Sequence, residues 1–146
     1  MKQRVHVLHG VNLNKLGHRE PEHYGSLTLN GLEHKITGWA AELGIEVSFF
    51  QTNHEGRMVE ELHRLGEGAD GAILNAGAWT HYAYSLRDAL EAGGCPCVEV
   101  HLSDVQAREP WRRQSVFEGL VLGVVSGKHE EGYREALQLL RTEFDA

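Results

Sequence analysis

Residues 71–77 read GAILNAG. Ala72, Ile73 and Leu74 follow one another without a polar break, and Asn75 closes the run between two glycines. Successive side chains of a strand point to opposite faces, so an unbroken apolar run needs cover on both sides. That is the situation of a strand inside a parallel sheet. Four other stretches share the pattern: VHVLHG (5–10), IEVSFF (45–50), PCVEVHLS (96–103) and LVLGVVSG (120–127). Several end at Gly, Ser or Asn.

Helical spacing fills the intervals. Leu29, Leu32, Ile36, Trp39 and Leu43 recur at steps of three and four before Gly44. Met58, Val59, Leu62 and Leu65 precede Gly66, and Ala83, Leu86, Ala89 and Leu90 precede Gly93. Tyr133, Ala136, Leu137, Leu140 and Phe144 make a final helix. Strictly alternating strands and helices predict an α/β fold with right-handed crossovers around a parallel sheet. With 146 residues and no repeat or linker, residues 1–146 are expected to form a single domain.

Composition narrows the function. The net charge is −7, from 14 basic and 21 acidic residues. Nucleic acid and anionic membrane both select a basic footprint, so neither is the expected partner. No apolar run approaches the roughly 18 residues of a membrane span, and MKQRVHVLHG lacks the apolar core of a signal peptide. Cys95 and Cys97 flank a proline, and on an extended chain they point apart. They read as small buried thiols in a reducing, cytoplasmic setting.

Parallel sheets bind ligands beyond the carboxyl ends of their strands. There the chain carries Asn12 and Asn14, then Asn53, His54 and Glu55, then Asn75 and His81, then Glu99, His101 and Ser103, and finally Ser126. Each has a plainer reading: Asn12 as a turn residue, Asn53 as a helix cap, His81 as a structural group in the first turn of the third helix. Together they predict a polar crevice to which four or five strands contribute. No G-x-G-x-x-G or G-x-x-x-x-G-K-[ST] loop cradles a phosphate. The ten histidines form no H-E-x-x-H or Cys/His ligand set, so no metal is expected. No G-x-S-x-G elbow presents a serine. Amides, imidazoles, arginines and one loop tyrosine suit a small, anionic, polyhydroxylated molecule and proton transfer without a cofactor.

Two long connections, 11–27 and 104–118, exceed what a compact domain needs, which favours a functional role. The first holds GHREPEHYG (17–25). A phenol is a poor base at neutral pH, with a pKa of about 10. A guanidinium close by can lower that by about 1–3 units. Arg19 and Tyr24 share this loop, with Gly17 and Gly25 as candidate hinges for closure over the crevice.

These stretches resemble the type II 3-dehydroquinate dehydratases (type II dehydroquinases) of the shikimate pathway. GVNLNKLGHREPEHYG (10–25) is similar to GPNLNxLGxREPxxYG, and QTNHEG (51–56) to QSNHEG. LNAGAWTHYAYSLRDAL (74–90), VEVHLSDVQAREPWR (98–112) and GLVLGVVSGKHEEGY (119–133) resemble three further family blocks in the same order. The resemblance implies a flavodoxin-like three-layer sandwich with a five-stranded parallel sheet. It implies a lyase that reversibly dehydrates 3-dehydroquinate to 3-dehydroshikimate, without metal or Schiff base. It also implies a homo-oligomer, a dodecamer built from trimers. By motif, Tyr24 would be the base, Arg19 its activator, Asn12 a holder of the water at the enolate oxygen, and His101 the acid, oriented by Glu99. Backbone amides of Leu102 and Ser103 would grip the substrate carboxylate. Asn75, His81 and Arg112 would bind ring hydroxyls, and Asp88 would reach a neighbouring subunit's site.

The chain departs from the family's usual pattern at His9 and Val11, at Asp104, and in WRRQSVFEG (111–119). Two other readings fit the same scaffold: a flavodoxin-like small-molecule binding module, and an inactive assembly protein.

Overall fold

Five parallel strands form one sheet in the order β2-β1-β3-β4-β5. They are β1 (Gln3–His9), β2 (Ile45–Gln51), β3 (Gly71–Asn75), β4 (Cys97–His101) and β5 (Gly123–Ser126). The computed structural model describes residues 2–20, Glu22 and 26–146, so Tyr24 and Gly25 lie outside the described residues. The five apolar runs of the sequence are these five strands. All five residues of β3, and all five of β4, are buried.

Alternation divides the core into two layers. Val5, Val7, Ile73, Val98 and Val100 meet Leu32, Ile36 and Ala40 of α1 (Leu29–Glu42) and Tyr133, Leu137 and Leu140 of α5 (Glu131–Asp145). Leu8, Ala72, Leu74 and Cys97 face the other way. There they meet Met58 and Leu62 of α2 (Glu55–His63), Leu65 of the short α3 (Leu65–Gly68), and Leu86, Ala89 and Leu90 of α4 (Tyr84–Gly93). Truncating a fully buried side chain such as Ile73 to Ala would cost about 2–5 kcal/mol. The order, with the flavodoxin-like reversal between β1 and β3, sets a crevice at that point.

Helix ends differ from the spacing in two places. Gly66 does not close the second helix. The chain breaks at Arg64 and re-forms one turn that contains Gly66. Gly93 is the last helical residue of α4, and Gly94 takes the left-handed conformation (φ 74°) that ends it. Both thiols are free. Burial pushes the Cys97 thiol far above its ordinary range, as suits an inert core residue, while Cys95 is half-buried. Among the described residues, no helix is long and apolar enough to cross a membrane.

At the β1/β3 junction two loops come unusually close. The Gly10 N–H donates to the Asn75 carbonyl at 2.7 Å. A Cβ on Gly10 would lie 2.4 Å from the Ala76 carbonyl oxygen, so only glycine fits there. Gly77, at φ 62°, approaches the Val11 carbonyl in the same way. This contact fixes where the 11–27 connection leaves the sheet.

Candidate active site

A cleft of about 110 Å³ opens over the β1/β3 junction and extends to the end of β4. Asn12 and Arg19 from the first long connection line one side. Asn75, His81, His101 and Ser103 line the other, with Arg108 and Arg112 from the second connection. Leu102 lines the same wall. Nine of the residues singled out from the sequence therefore have a defined place at or behind one cleft: Asn12, Arg19, Asn75, His81, Leu102, Ser103, Arg112, His101 and, behind it, Glu99. Asp88 does not reach the cleft. It is exposed on α4.

The histidines are held from behind. His101 Nε2 lies 2.6 Å from Glu99 Oε2, and both side chains are almost fully buried. An ionised carboxylate only accepts, so Nε2 carries the proton and Nδ1 is left for chemistry. A buried carboxylate is costly unless its oxygens are satisfied. The second oxygen of Glu99 accepts from the Ser115 hydroxyl at 2.8 Å. Ser115, Glu99 and His101 thus form one chain of hydrogen bonds ending at the cleft.

His81 is fixed independently. Its Nδ1 donates to the Gln114 carbonyl at 2.7 Å, so its neutral ring has a bare Nε2 able to accept from a ligand hydroxyl. Burial pushes its pKa below the ordinary value, against the raising effect of the Gln114 bond, and the nearby His101 and Arg112 add to the lowering. The ring sits 6.3 Å from that of His101 and meets Trp111 edge-on at 5.3 Å. Arg112 stacks 4.1 Å over Trp111 and donates to Glu109 at 2.9 Å.

Asn75 caps its own strand end. Its side-chain oxygen accepts from the Gly77 N–H at 3.1 Å, and its amide donates to the Tyr133 hydroxyl at 3.4 Å. Burial pushes the Tyr133 phenol up to about 12, so it stays neutral and serves as a prop. Asn12 sits in the left-handed region at φ 69°, which asparagine tolerates better than most residues.

Three expectations need correction. Asn53 does not cap a helix: His54 occupies the cap position, and the Asn53 side-chain oxygen accepts from the Asn12 N–H at 2.8 Å. His81 ends a 3₁₀ turn (Gly77–His81) rather than starting α4. The rim is also narrower than four or five strands. Glu55 turns away to accept from Ser85 on α4 at 2.5 Å, and Ser126 donates to the Ser103 carbonyl at 3.1 Å. The ends of β2 and β5 brace the cleft, and β1, β3 and β4 supply its wall.

Two residues were missed. Arg108 lines the cleft and donates to the Ser103 hydroxyl at 3.3 Å, and Ser115 supports Glu99. Arg108 stands in the quoted block VEVHLSDVQAREPWR, where position alone does not tell a cleft arginine from a surface one. Ser115 had no signal: its partner is 16 residues away and its role depends on the path of the loop.

With that geometry in view, similarity to known proteins is informative. Residues 3–141 match the family model described as Dehydroquinase class II. A 3-dehydroquinate dehydratase of Pelobacter propionicus is 48% identical over 136 residues, covering 92% of this chain and 91% of the relative. One from Syntrophotalea carbinolica is 48% identical over 136 residues, with 92% of each chain covered. The crystal structure of type II dehydroquinase from Propionibacterium acnes superposes with a TM-score of 0.92 at 38% identity, covering 97% of this chain and 98% of that one. The fold, the cleft at the strand-order reversal and the matched length all agree: this chain belongs to the class II dehydroquinase family.

Proposed function

We propose that the chain is a 3-dehydroquinate dehydratase, removing water from 3-dehydroquinate to give 3-dehydroshikimate in the shikimate pathway. The observation that carries this reading is the buried Glu99–His101 pair, backed by half-buried Ser115, opening into a cleft that also holds Asn12, Arg19, Asn75, His81 and Arg112. Such a site offers a proton donor, neutral acceptors for hydroxyls and a cation, Arg19, to favour a phenolate base.

In this mechanism Tyr24, as phenolate beside Arg19, takes the proton from C2 next to the ketone. The electrons move onto the ketone oxygen, and a water held by Asn12 stabilises the enolate. His101 then protonates the C1 hydroxyl, which leaves as water as the double bond forms. Glu99 stabilises the imidazolium that makes this transfer. Backbone amides of Leu102 and Ser103 hold the substrate carboxylate, with Arg108 tethering the Ser103 side chain. Asn75, His81 and Arg112 bind the ring hydroxyls. Base and acid catalysis each typically contribute about 10²–10⁴-fold. The same reading takes residues 1–146 as one domain, working in the cytoplasm as a dodecamer built from trimers in which Asp88 meets a neighbouring copy's site.

Adding 3-dehydroquinate should raise near-ultraviolet absorbance as the conjugated enone forms. Tyr24→Phe and His101→Ala should each lower turnover by about 10²-fold or more while the fold survives. Full activity in Tyr24→Phe would refute the base assignment. A well-assembled wild-type protein with no absorbance change would refute the enzyme reading.

A further inference from the structure

A second polar constellation lies away from the cleft, on the opposite side of β1. His6 points from β1 beside Ser48 of β2, its register partner on the neighbouring strand. His6 Nδ1 is 2.6 Å from Ser48 Oγ, and His6 Nε2 is 2.7 Å from Glu61 Oε2 on α2. The histidine and glutamate side chains are only 15% and 20% exposed, whereas Ser48 is exposed. All three line a separate bowl of about 320 Å³, together with Arg64 and Glu67.

The hydrogen-bond roles follow from the groups. The Glu61 carboxylate can only accept, so Nε2 of His6 carries a proton. In the neutral ring Nδ1 is then a bare acceptor, and the Ser48 hydroxyl must donate to it. A serine donating to an imidazole that is oriented by a carboxylate is the arrangement of an activated nucleophile. It uses the two ring nitrogens in the reverse sense from the serine proteases.

We propose that Ser48, His6 and Glu61 form a second reactive site, a serine nucleophile that takes acyl groups from small activated esters. Ser48 Oγ forms a bond to the acyl carbon as the bond from that carbon to the leaving oxygen breaks. The hydroxyl proton passes to His6 Nδ1 and on to the leaving alcohol, and Glu61 stabilises the imidazolium in between. Arg64 supplies the positive charge on the bowl for the developing oxyanion. Water, deprotonated by the same imidazole, releases the acid and restores Ser48 more slowly than the acyl group is taken up, so acyl-Ser48 accumulates.

The probe is p-nitrophenyl acetate added to the whole protein, with nitrophenolate release followed by absorbance and acetylation located by peptide mass spectrometry. The wild type should carry acetyl on Ser48, formed faster than on any other hydroxyl of the chain. Ser48→Ala should abolish that mark. His6→Gln should slow it by about 10²-fold or more, the size of a general-base contribution. Glu61→Gln keeps the shape but lets Nε2 accept, so Nδ1 turns its proton towards Ser48, and the rate should fall at least tenfold. None of these residues lines the dehydration cleft, so 3-dehydroquinate turnover and thermal melting serve as controls for folding. Absence of acetyl-Ser48 in the wild type would overturn the proposal, as would equal labelling in a folded His6→Gln or Glu61→Gln protein.

Discussion

On the β3–β4 side of the cleft, each inward-facing histidine has a partner behind it. His81 is tied to the Gln114 carbonyl, and His101 to Glu99, which is tied in turn to Ser115. On the β1 side the chain leaves the sheet at Gly10 and carries exposed Asn12 and half-buried Arg19 on the connection that leads to α1. Asn53 reaches across from the end of β2 to steady Asn12 through its backbone. The difference suits the proposed chemistry. A proton donor works best when its orientation is settled before substrate arrives. A base carried on a connecting loop can close over bound substrate and exclude water.

If the buried relay is what makes the β3–β4 side rigid, removing its charge should have the largest effect. Glu99→Gln keeps the size and leaves an acceptor for Ser115, but it takes away the negative charge facing the His101 imidazolium. Turnover of 3-dehydroquinate should fall by about 10²-fold, with KM changed much less, because the loss falls on the transition state. Equal losses in kcat and in substrate binding would instead mean that Glu99 shapes the pocket.

The β1 side should be more forgiving. Asn53→Ala removes the acceptor for the Asn12 N–H, and water can replace it because Asn12 is exposed. A net hydrogen bond contributes about 0.5–1.5 kcal/mol, so the expected stability loss is about 1 kcal/mol. Turnover should fall by no more than about tenfold. A loss as large as that of Glu99→Gln would erase the distinction between the two sides.

The sequence exposed most of this arrangement, and what it hid follows a pattern. Strands were legible because burial on both faces leaves unbroken apolar runs such as Ala72–Leu74. Wall residues from β3 and β4 were legible because a strand end fixes where the next side chain goes. The connections were harder. Asn53 followed a strand and preceded a helix, which is also the signature of a cap, and only the approach of Asn12 decides between the two. Ser115 meets Glu99 only because the 104–118 connection folds back over the end of β4. Helix breaks were legible to within a residue or two, since Gly93 and Gly94 compete for the same left-handed position and spacing does not choose between them.

The smallest expected effect concerns how His81 responds to pH. Its folded-state pKa lies below the ordinary value of 6.5, chiefly because burial disfavours the charged ring. Above about pH 6.5 the ring is neutral whether the chain is folded or not, and its contribution to stability is fully present. As the pH falls below that value, the unfolded chain binds a proton that the folded chain refuses. Stability therefore declines until the folded ring titrates too, below which the contribution is constant. Glutamine at this position cannot titrate. His81→Gln should therefore flatten the fall in melting temperature between about pH 7 and pH 5 by no more than about 2–4 °C. An unchanged slope would show that the ring titrates alike in both states, and the β3–β4 wall would then be less closed to water at His81 than at His101.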